Sequence, residues 1–256
     1  MAGLMEGKRV MVFGVANDRS IAWGISQMMH QQGARLGFNY VGDALERRVR
    51  PLAESVDADI VVPCDVTDDT QVSEAFGQVR DVWGGLDVLV HSVAYADKDD
   101  LSGRFHNTTR HGFLKAMEIS AYSLVHLARE AVPLMGQGGN IITMTYYGAE
   151  KVVENYNMMG VAKAALEASV RYLAADLGPD GIRINAISAG PLKTLAATGV
   201  KNFRGLMSQF EERAPLRRNV TLEDVGRASL FLCSEMGSGV TGEVLHVDLG
   251  FNVLAH

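Results

Sequence analysis

A tyrosine and a lysine stand seven residues apart at Tyr156 and Lys163. On an α-helix each residue advances by ~100°, so a step of seven returns to within ~20° of the starting direction. The stretch 156–177 has a helical apolar pattern, which places both side chains on one face, two turns apart. A phenol and an ammonium so placed are an acid and a cation that can meet at one small molecule. The same pair fits an ordinary amphipathic helix equally well. Two more tyrosines, Tyr146 and Tyr147, lie just upstream, after the apolar run 140–145. They are candidates for an aromatic wall with a hydroxyl tip, or for plain packing residues.

The elements that must position these groups are read from the alternation of apolar runs. Strand patterns occupy 8–14, 35–41, 59–63, 86–91, 140–145, 182–187 and 242–247. Helical patterns fill 21–32, 43–56, 69–83, 114–134, 156–177, 199–213 and 222–234, and the long 114–134 helix is expected to bend near Pro133. Strands alternating with helices imply βαβ crossovers and a parallel sheet. The alternation never stops, so the reading is α/β: one doubly wound, Rossmann-like domain over 1–256 with helices on both faces. In such a fold the ligand sits beyond the carboxyl ends of the strands. That end gathers 14–21, 40–43, 65–66, 91–96, 146–156 and 189–197.

The first βα turn is where a dinucleotide pyrophosphate meets backbone N–H groups and a helix N-terminus. Here it runs from Gly14 through Ser20 and Ile21 to Gly24, without the GxGxxG pattern. Gly14 permits close approach, and Ser20 offers a hydroxyl to phosphate or a cap to the helix. After the third strand, Asp65 could accept from an adenine amino group while Val66 covers the ring. Asp65 or Thr67 could equally cap the next turn. Tyr40-Val41-Gly42-Asp43 ends the second strand with no Arg or Lys to grip a 2′-phosphate, which favours NADH over NADPH.

Composition excludes several classes. Hydrophobic residues are 47% of 256 and charged residues 21%, enough for a sizeable core in a soluble protein. A net charge of −6 with no basic stripe argues against nucleic-acid partners. Cys64 and Cys233 lie outside any CxxC spacing, so neither a disulfide framework nor a metal site is expected. The N-terminus has no apolar leader and no run approaches a membrane span, so a cytoplasmic protein without a membrane partner is expected.

Four stretches together resemble a known family. They are Gly14-Val15-Ala16-Asn17 with Ser20-Ile21-Ala22-Trp23-Gly24; His91-Ser92-Val93-Ala94; Tyr146 with Tyr156 and Lys163; and the run 185–196, Asn-Ala-Ile-Ser-Ala-Gly-Pro-Leu-Lys-Thr-Leu-Ala. The chain resembles the short-chain dehydrogenase/reductase superfamily and, within it, the bacterial enoyl-[acyl-carrier-protein] reductases of type II fatty acid synthesis. Ordinary members of the superfamily use Tyr-x3-Lys and a glycine-rich TGxxxGxG loop. The Tyr-x6-Lys spacing and the turn without GxGxxG are features of the enoyl reductases.

The resemblance implies site residues throughout the chain. Gly14, Ser20 and Ile21 would hold the pyrophosphate region, Val41 would lie near the adenosine, and Asp65 and Val66 would hold adenine. Val93 would line the cofactor, Lys163 would bond the nicotinamide ribose, and Leu192, Lys193, Thr194, Leu195 and Ala196 would border the nicotinamide. Ala96 would meet the acyl substrate. Tyr146, Tyr156 and Lys163 would be the catalytic set, with Tyr146 preferred to Tyr147 on the match alone. Segment 190–213 is the expected lid, flanked by glycines. Lys201, Arg204, Arg213, Arg217 and Arg218 could form a basic rim for an acidic acyl carrier protein. The implied assembly is a homotetramer, with one departure: Asp248-Leu249-Gly250 has Leu249 where many relatives have glycine. Two rivals stand: a carbonyl-reducing dehydrogenase such as a 3-oxoacyl-thioester reductase, against which the Tyr-x6-Lys spacing counts, and a nucleotide-binding sensor without turnover, which would not need the tyrosines.

Overall fold

Seven strands form one parallel sheet in the order β3-β2-β1-β4-β5-β6-β7. They are β1 Arg9–Phe13, β2 Arg35–Tyr40, β3 Ile60–Pro63, β4 Val88–His91, β5 Gly139–Thr145, β6 Ile182–Ala189 and β7 Val244–Val247. The structure is a computed structural model and describes residues 3–136, 138–195 and 203–255. Strand order reverses between β1 and β4, whose register pairs Phe13 with His91. A crevice opens at such a reversal, beyond the carboxyl ends of both strands.

Helices α1 Ile21–Gln31, α2 Gly42–Glu54 and α3 Asp69–Trp83 each follow a strand directly. Then come α4 Lys98–Leu101, α5 Arg110–Met117, α6 Ser123–Ala131, α7 Asn157–Leu177, α8 Phe203–Arg213 and α9 Leu222–Cys233. Two apolar clusters sandwich the sheet. One joins Val10, Val12, Phe38 and Ile187 to Trp23 and Ile25 of α1 and Val225 of α9. The other joins Met11, Phe13, Leu89 and Ile184 to Phe76 of α3, Leu124 of α6 and Leu166 of α7. Alternate residues of one strand thus face opposite layers, the period of two expected of a strand covered on both sides.

Two expectations change. The 114–134 helix begins earlier, at Arg110, and its irregularity lies not at Pro133 but at Glu118–Tyr122. There the Ser123 N–H donates to Glu118 O, five residues back, which makes a π-turn between α5 and α6. Pro133 only closes the run, in the short turn Val132–Leu134. Leu249 has φ 59°, the left-handed conformation that favours glycine. The Asp248 carboxylate holds that turn by accepting from the N–H groups of Gly250 (3.0 Å) and Asn252 (2.8 Å). A leucine is therefore retained where glycine would sit without strain.

Candidate active site

The parallel strands deliver all the candidate segments to one end of the sheet. Gly14 leaves β1 with φ 108°, and a Cβ there would stand 2.1 Å from Ser92 O on the loop after β4. Only glycine lets these two segments approach so closely. The Gly14 N–H donates to Asn39 Oδ1 (3.1 Å), and Asn39 Nδ2 donates to Cys64 O (2.9 Å). Asn39 is buried, and it braces the ends of β1, β2 and β3 against one another. Sequence reasoning passed over it, although a lone amide in an apolar strand is the signal to look for.

Ser20 occupies the N-cap of α1, yet its side chain makes no cap bond. Its Oγ instead accepts from the N–H groups of Ala16 and Asn17, both at 3.0 Å. Its own hydrogen reaches Asn17 Oδ1 only at 3.4 Å. The hydroxyl therefore fixes the turn with its lone pairs, while its one hydrogen is held only by this long bond, which an anion would have to displace. Behind it Gly24 packs on α9, where a Cβ would meet Leu222 Cβ at 2.7 Å.

At the adenine end, Asp65 Oδ1 accepts from the N–H (3.0 Å) and hydroxyl (2.8 Å) of Thr67. The cap of α3 is neither residue but Asp68, which accepts from Thr70 N and Gln71 N. Asp65 is thus a turn residue with its second oxygen still available. The Val66 side chain is buried in the core on the α3 side. Val41 is exposed at the N-cap of α2.

Tyr146 follows β5 directly, and Tyr156 is the N-cap of α7 rather than part of its regular turns. Asn155 (φ 60°) and Asn157 (φ 34°) flank it, and asparagine tolerates that region best after glycine. The Tyr146 and Tyr156 rings meet edge to face, with centroids 5.0 Å apart. Gly148 makes room for them: a Cβ there would lie 2.4 Å from Tyr156 Cδ1 and 3.3 Å from Tyr146 Cδ1. Tyr147 turns the other way, buried against Phe251, which stacks on Phe210. The structure thus joins Tyr146 to Tyr156 and leaves Tyr147 in the packing.

Lys163 is buried, and its Nζ donates to Met144 O at 2.7 Å. Among the described residues no second acceptor faces this ammonium, so two N–H donors remain for a ligand. Burial lowers its pKa to about 8, against the pull of Glu167. Burial also pushes the Tyr146 hydroxyl up to about 12 and the Tyr156 hydroxyl still higher, with Tyr146 and Glu167 adding to the second shift. Both phenols therefore remain protonated donors at neutral pH.

Three buried polar residues have bonding roles that the sequence did not reveal. Glu167, one turn beyond Lys163, accepts from Thr145 Oγ1 at 2.6 Å, and burial raises its pKa. His91 bridges Thr143 Oγ1 (2.7 Å) and Ser123 Oγ (2.8 Å). Burial and the nearby Lys163 charge lower its pKa to about 3, so it is a neutral strut. Ser120 bonds the loop after β4 at Tyr95. Each belongs to a contact between segments far apart in sequence, which no local pattern reveals.

Val93 and Ala96 lie on that loop and are half-buried, Ala96 against Met158 and Ala162 of α7. Leu192 is buried, whereas Lys193 and Leu195 are exposed and Thr194 is half-buried. Ala196 and Lys201 fall outside the described residues, as does the middle of the expected lid. Arg204, Arg213, Arg217 and Arg218 are exposed, but Arg218 is committed to Asp224 at 2.6 Å.

Residues 14–252 match the enoyl-(acyl carrier protein) reductase family. The chain belongs to that family. An enoyl-[acyl-carrier-protein] reductase [NADH] of Bacillus cereus is 53% identical over 98% of this chain and 99% of its own. One from Rhizobium meliloti is 52% identical over 99% and 93%. Among solved structures, the Bacillus cereus reductase with NADP+ and indole naphthyridinone superposes with a TM-score of 0.97, at 52% identity over 99% of this chain and 100% of that one. The Anaplasma phagocytophilum reductase in complex with NAD has a TM-score of 0.96 at 50% identity over 100% and 98%. Within this enoyl reductase family the seven-stranded sheet is the shared frame, and Tyr146 leaves it at the carboxyl end of β5, the neighbour of β4.

Proposed function

We propose that this chain reduces the carbon–carbon double bond of trans-2-enoyl thioesters carried on acyl carrier protein, with NADH as reductant. The observation that carries the mechanism is the edge-to-face pair of Tyr146 and Tyr156 at the start of α7, the helix that holds a buried ammonium with two uncommitted donors. The residues present fit a dinucleotide. Gly14 and Ile21 border a turn whose Ser20 hydroxyl hydrogen is held only by a long bond to Asn17 Oδ1 (3.4 Å), and Asp65 retains an oxygen for the adenine amino group. Lys163 holds the ribose nearest the nicotinamide, and Val93 and the 192–196 segment border the ring. No basic side chain directly follows β2, since Val41-Gly42-Asp43 leads into α2, so a 2′-phosphate has no cation there.

NADH, when bound, supplies the hydride that adds to the β-carbon. Negative charge then grows on the thioester oxygen of the substrate, and the protein must stabilise it. Tyr156 does this by donating its hydroxyl hydrogen to that oxygen. Lys163 adds its positive charge, and Tyr146 walls the alkene and keeps water away. The half-buried Ala96 contacts the thioester end of the acyl group.

The partner protein is met at the exposed arginines near α8, a basic rim on an acidic chain. Reversing charge at Lys201 and Arg204 to glutamate raises KM for carrier-linked substrate about tenfold and leaves KM for a CoA thioester unchanged. Equal effects on both substrates would remove the rim from the account. The chain assembles as a homotetramer in the cytoplasm. In support, β7 ends the sheet with an open edge that needs a cover, and Leu216 and Val253 are exposed close by. Among the described residues no helix is long and apolar enough to cross a membrane.

The test of function is NADH oxidation with a dodecenoyl or crotonyl thioester, beside a 3-oxoacyl thioester control. Turnover is expected with the enoyl substrates alone. Turnover of only the 3-oxoacyl control, the rival reading, would overturn the assignment.

A further inference from the structure

We propose that Ser120 is a positioning residue, which sets the loop that carries Ala96 in register with the turn that carries Tyr156. The inference rests on the reading of Ala96 as a substrate contact.

Ser120 is fully buried in the π-turn Glu118–Tyr122. Its Oγ accepts from the Tyr95 N–H at 2.9 Å and donates to Tyr95 O at 3.0 Å. One hydroxyl thus satisfies both backbone groups of the residue next to Ala96. The same oxygen lies 3.7 Å from Met159 Sδ, and the Met159 N–H donates to Tyr156 O at 2.9 Å. Ser120 therefore touches both the substrate loop and the first turn of α7. Ala96 completes the contact from its own side, packed with Ala116, Met158 and Ala162.

The rest of the loop is held from outside. Asp97 accepts from Tyr95 Oη (2.8 Å) and from Lys115 Nζ (3.0 Å), and Lys115 sits 4.6 Å from the Tyr95 ring centre. Ser123 on the same π-turn fixes His91 at the end of β4. Interruptions of this kind inside α-helices are concentrated at functional sites. Here the π-turn carries Ser120 and Ser123 to two consecutive anchor points of one loop.

Removal of the Ser120 hydroxyl strands the N–H and C=O of Tyr95. Tyr95 is an exposed residue, so the loop regains hydrogen bonds by turning toward water, and Ala96 moves with it. A displacement of up to about 1 Å at a substrate contact lowers kcat/KM by as much as ~10²-fold, and at Ala96, which binds the acyl group and takes no part in the chemistry, the loss falls on KM. Lys163 is held by Met144 O, and the Val93 end of the loop is tied to β1 by the Ser92 N–H donating to Phe13 O at 2.9 Å, both apart from Ser120, so NADH binding is spared.

Steady-state kinetics of Ser120→Ala, with NADH affinity from fluorescence titration, test this. KM for enoyl thioester rises about tenfold and NADH Kd stays within twofold of the parent. Ser120→Cys keeps the volume with a weaker donor, gives a rise of about threefold, and carries the same test should the alanine variant fold poorly. An unchanged KM in both variants, or KM and NADH Kd rising together, would overturn the role of Ser120. Ala96→Val is run alongside and raises KM by crowding the site. If it leaves KM unchanged, the placement of substrate at Ala96 is wrong and the premise falls with it.

Discussion

Tyr156→Phe lowers kcat with enoyl thioester by about 10²-fold while NADH Kd is unchanged. The expected size is that of one lost donor to a developing oxyanion, typically ~10²–10³. The phenylalanine ring keeps the edge contact with Tyr146 at 5.0 Å, so the fold and the aromatic wall survive. What disappears is a hydroxyl that burial holds protonated far above neutral pH. The loss therefore falls on kcat and is flat across the neutral range, with no new titration. A kcat within twofold of the parent would show that another group stabilises the charge.

Lys163→Ala raises NADH Kd by about 10- to 100-fold, as expected for hydrogen bonds from a charged donor at ~1.5–3 kcal/mol. The variant leaves Met144 O without its partner and Glu167 without the nearby cation. The pH dependence gives an independent check. Burial lowers the Lys163 pKa to about 8 in the free protein, so the ammonium is intact below that pH and is lost above it. NADH that binds the charged form raises this pKa. Kd in the parent is thus constant below pH about 8 and rises above it, whereas Lys163→Ala is flat. His91 does not confuse the profile, because its pKa of about 3 keeps it neutral throughout. Normal NADH affinity in Lys163→Ala would refute the assigned role.

Much of the frame behind these residues was legible in the amino acids. The strand and helix alternation led to the parallel sheet, and helix α3 falls at 69–83 as its pattern requires. The face shared by Tyr156 and Lys163 followed from helical spacing, although Tyr156 proves to be the cap rather than the first turn. Tyr146 was separated from Tyr147 only by resemblance. The structure supplies a physical distinction, since Tyr147 is buried on Phe251 while Tyr146 meets Tyr156.

What stayed hidden has a common cause. Asn39, His91, Ser120 and Glu167 are single buried polar residues whose partners lie tens of residues away along the chain. A local pattern reports a segment's own period and not which distant backbone group it must satisfy. The π-turn was invisible for the same reason, since 114–134 reads as one helix until Ser120 and Ser123 are seen to reach the end of β4 and the loop after it.

The central claim is that this site adds hydride to an alkene, with Tyr156 holding the resulting oxyanion. Product analysis by NMR tests it most directly, after turnover of an enoyl thioester with NADH deuterated at both nicotinamide C4 positions, and separately with unlabelled NADH in deuterated water. The account predicts cofactor deuterium at C3 of the saturated acyl chain and solvent deuterium at C2. Cofactor deuterium at C2, or on a carbinol carbon formed from a 3-oxoacyl substrate while the enoyl thioester is untouched, would contradict it.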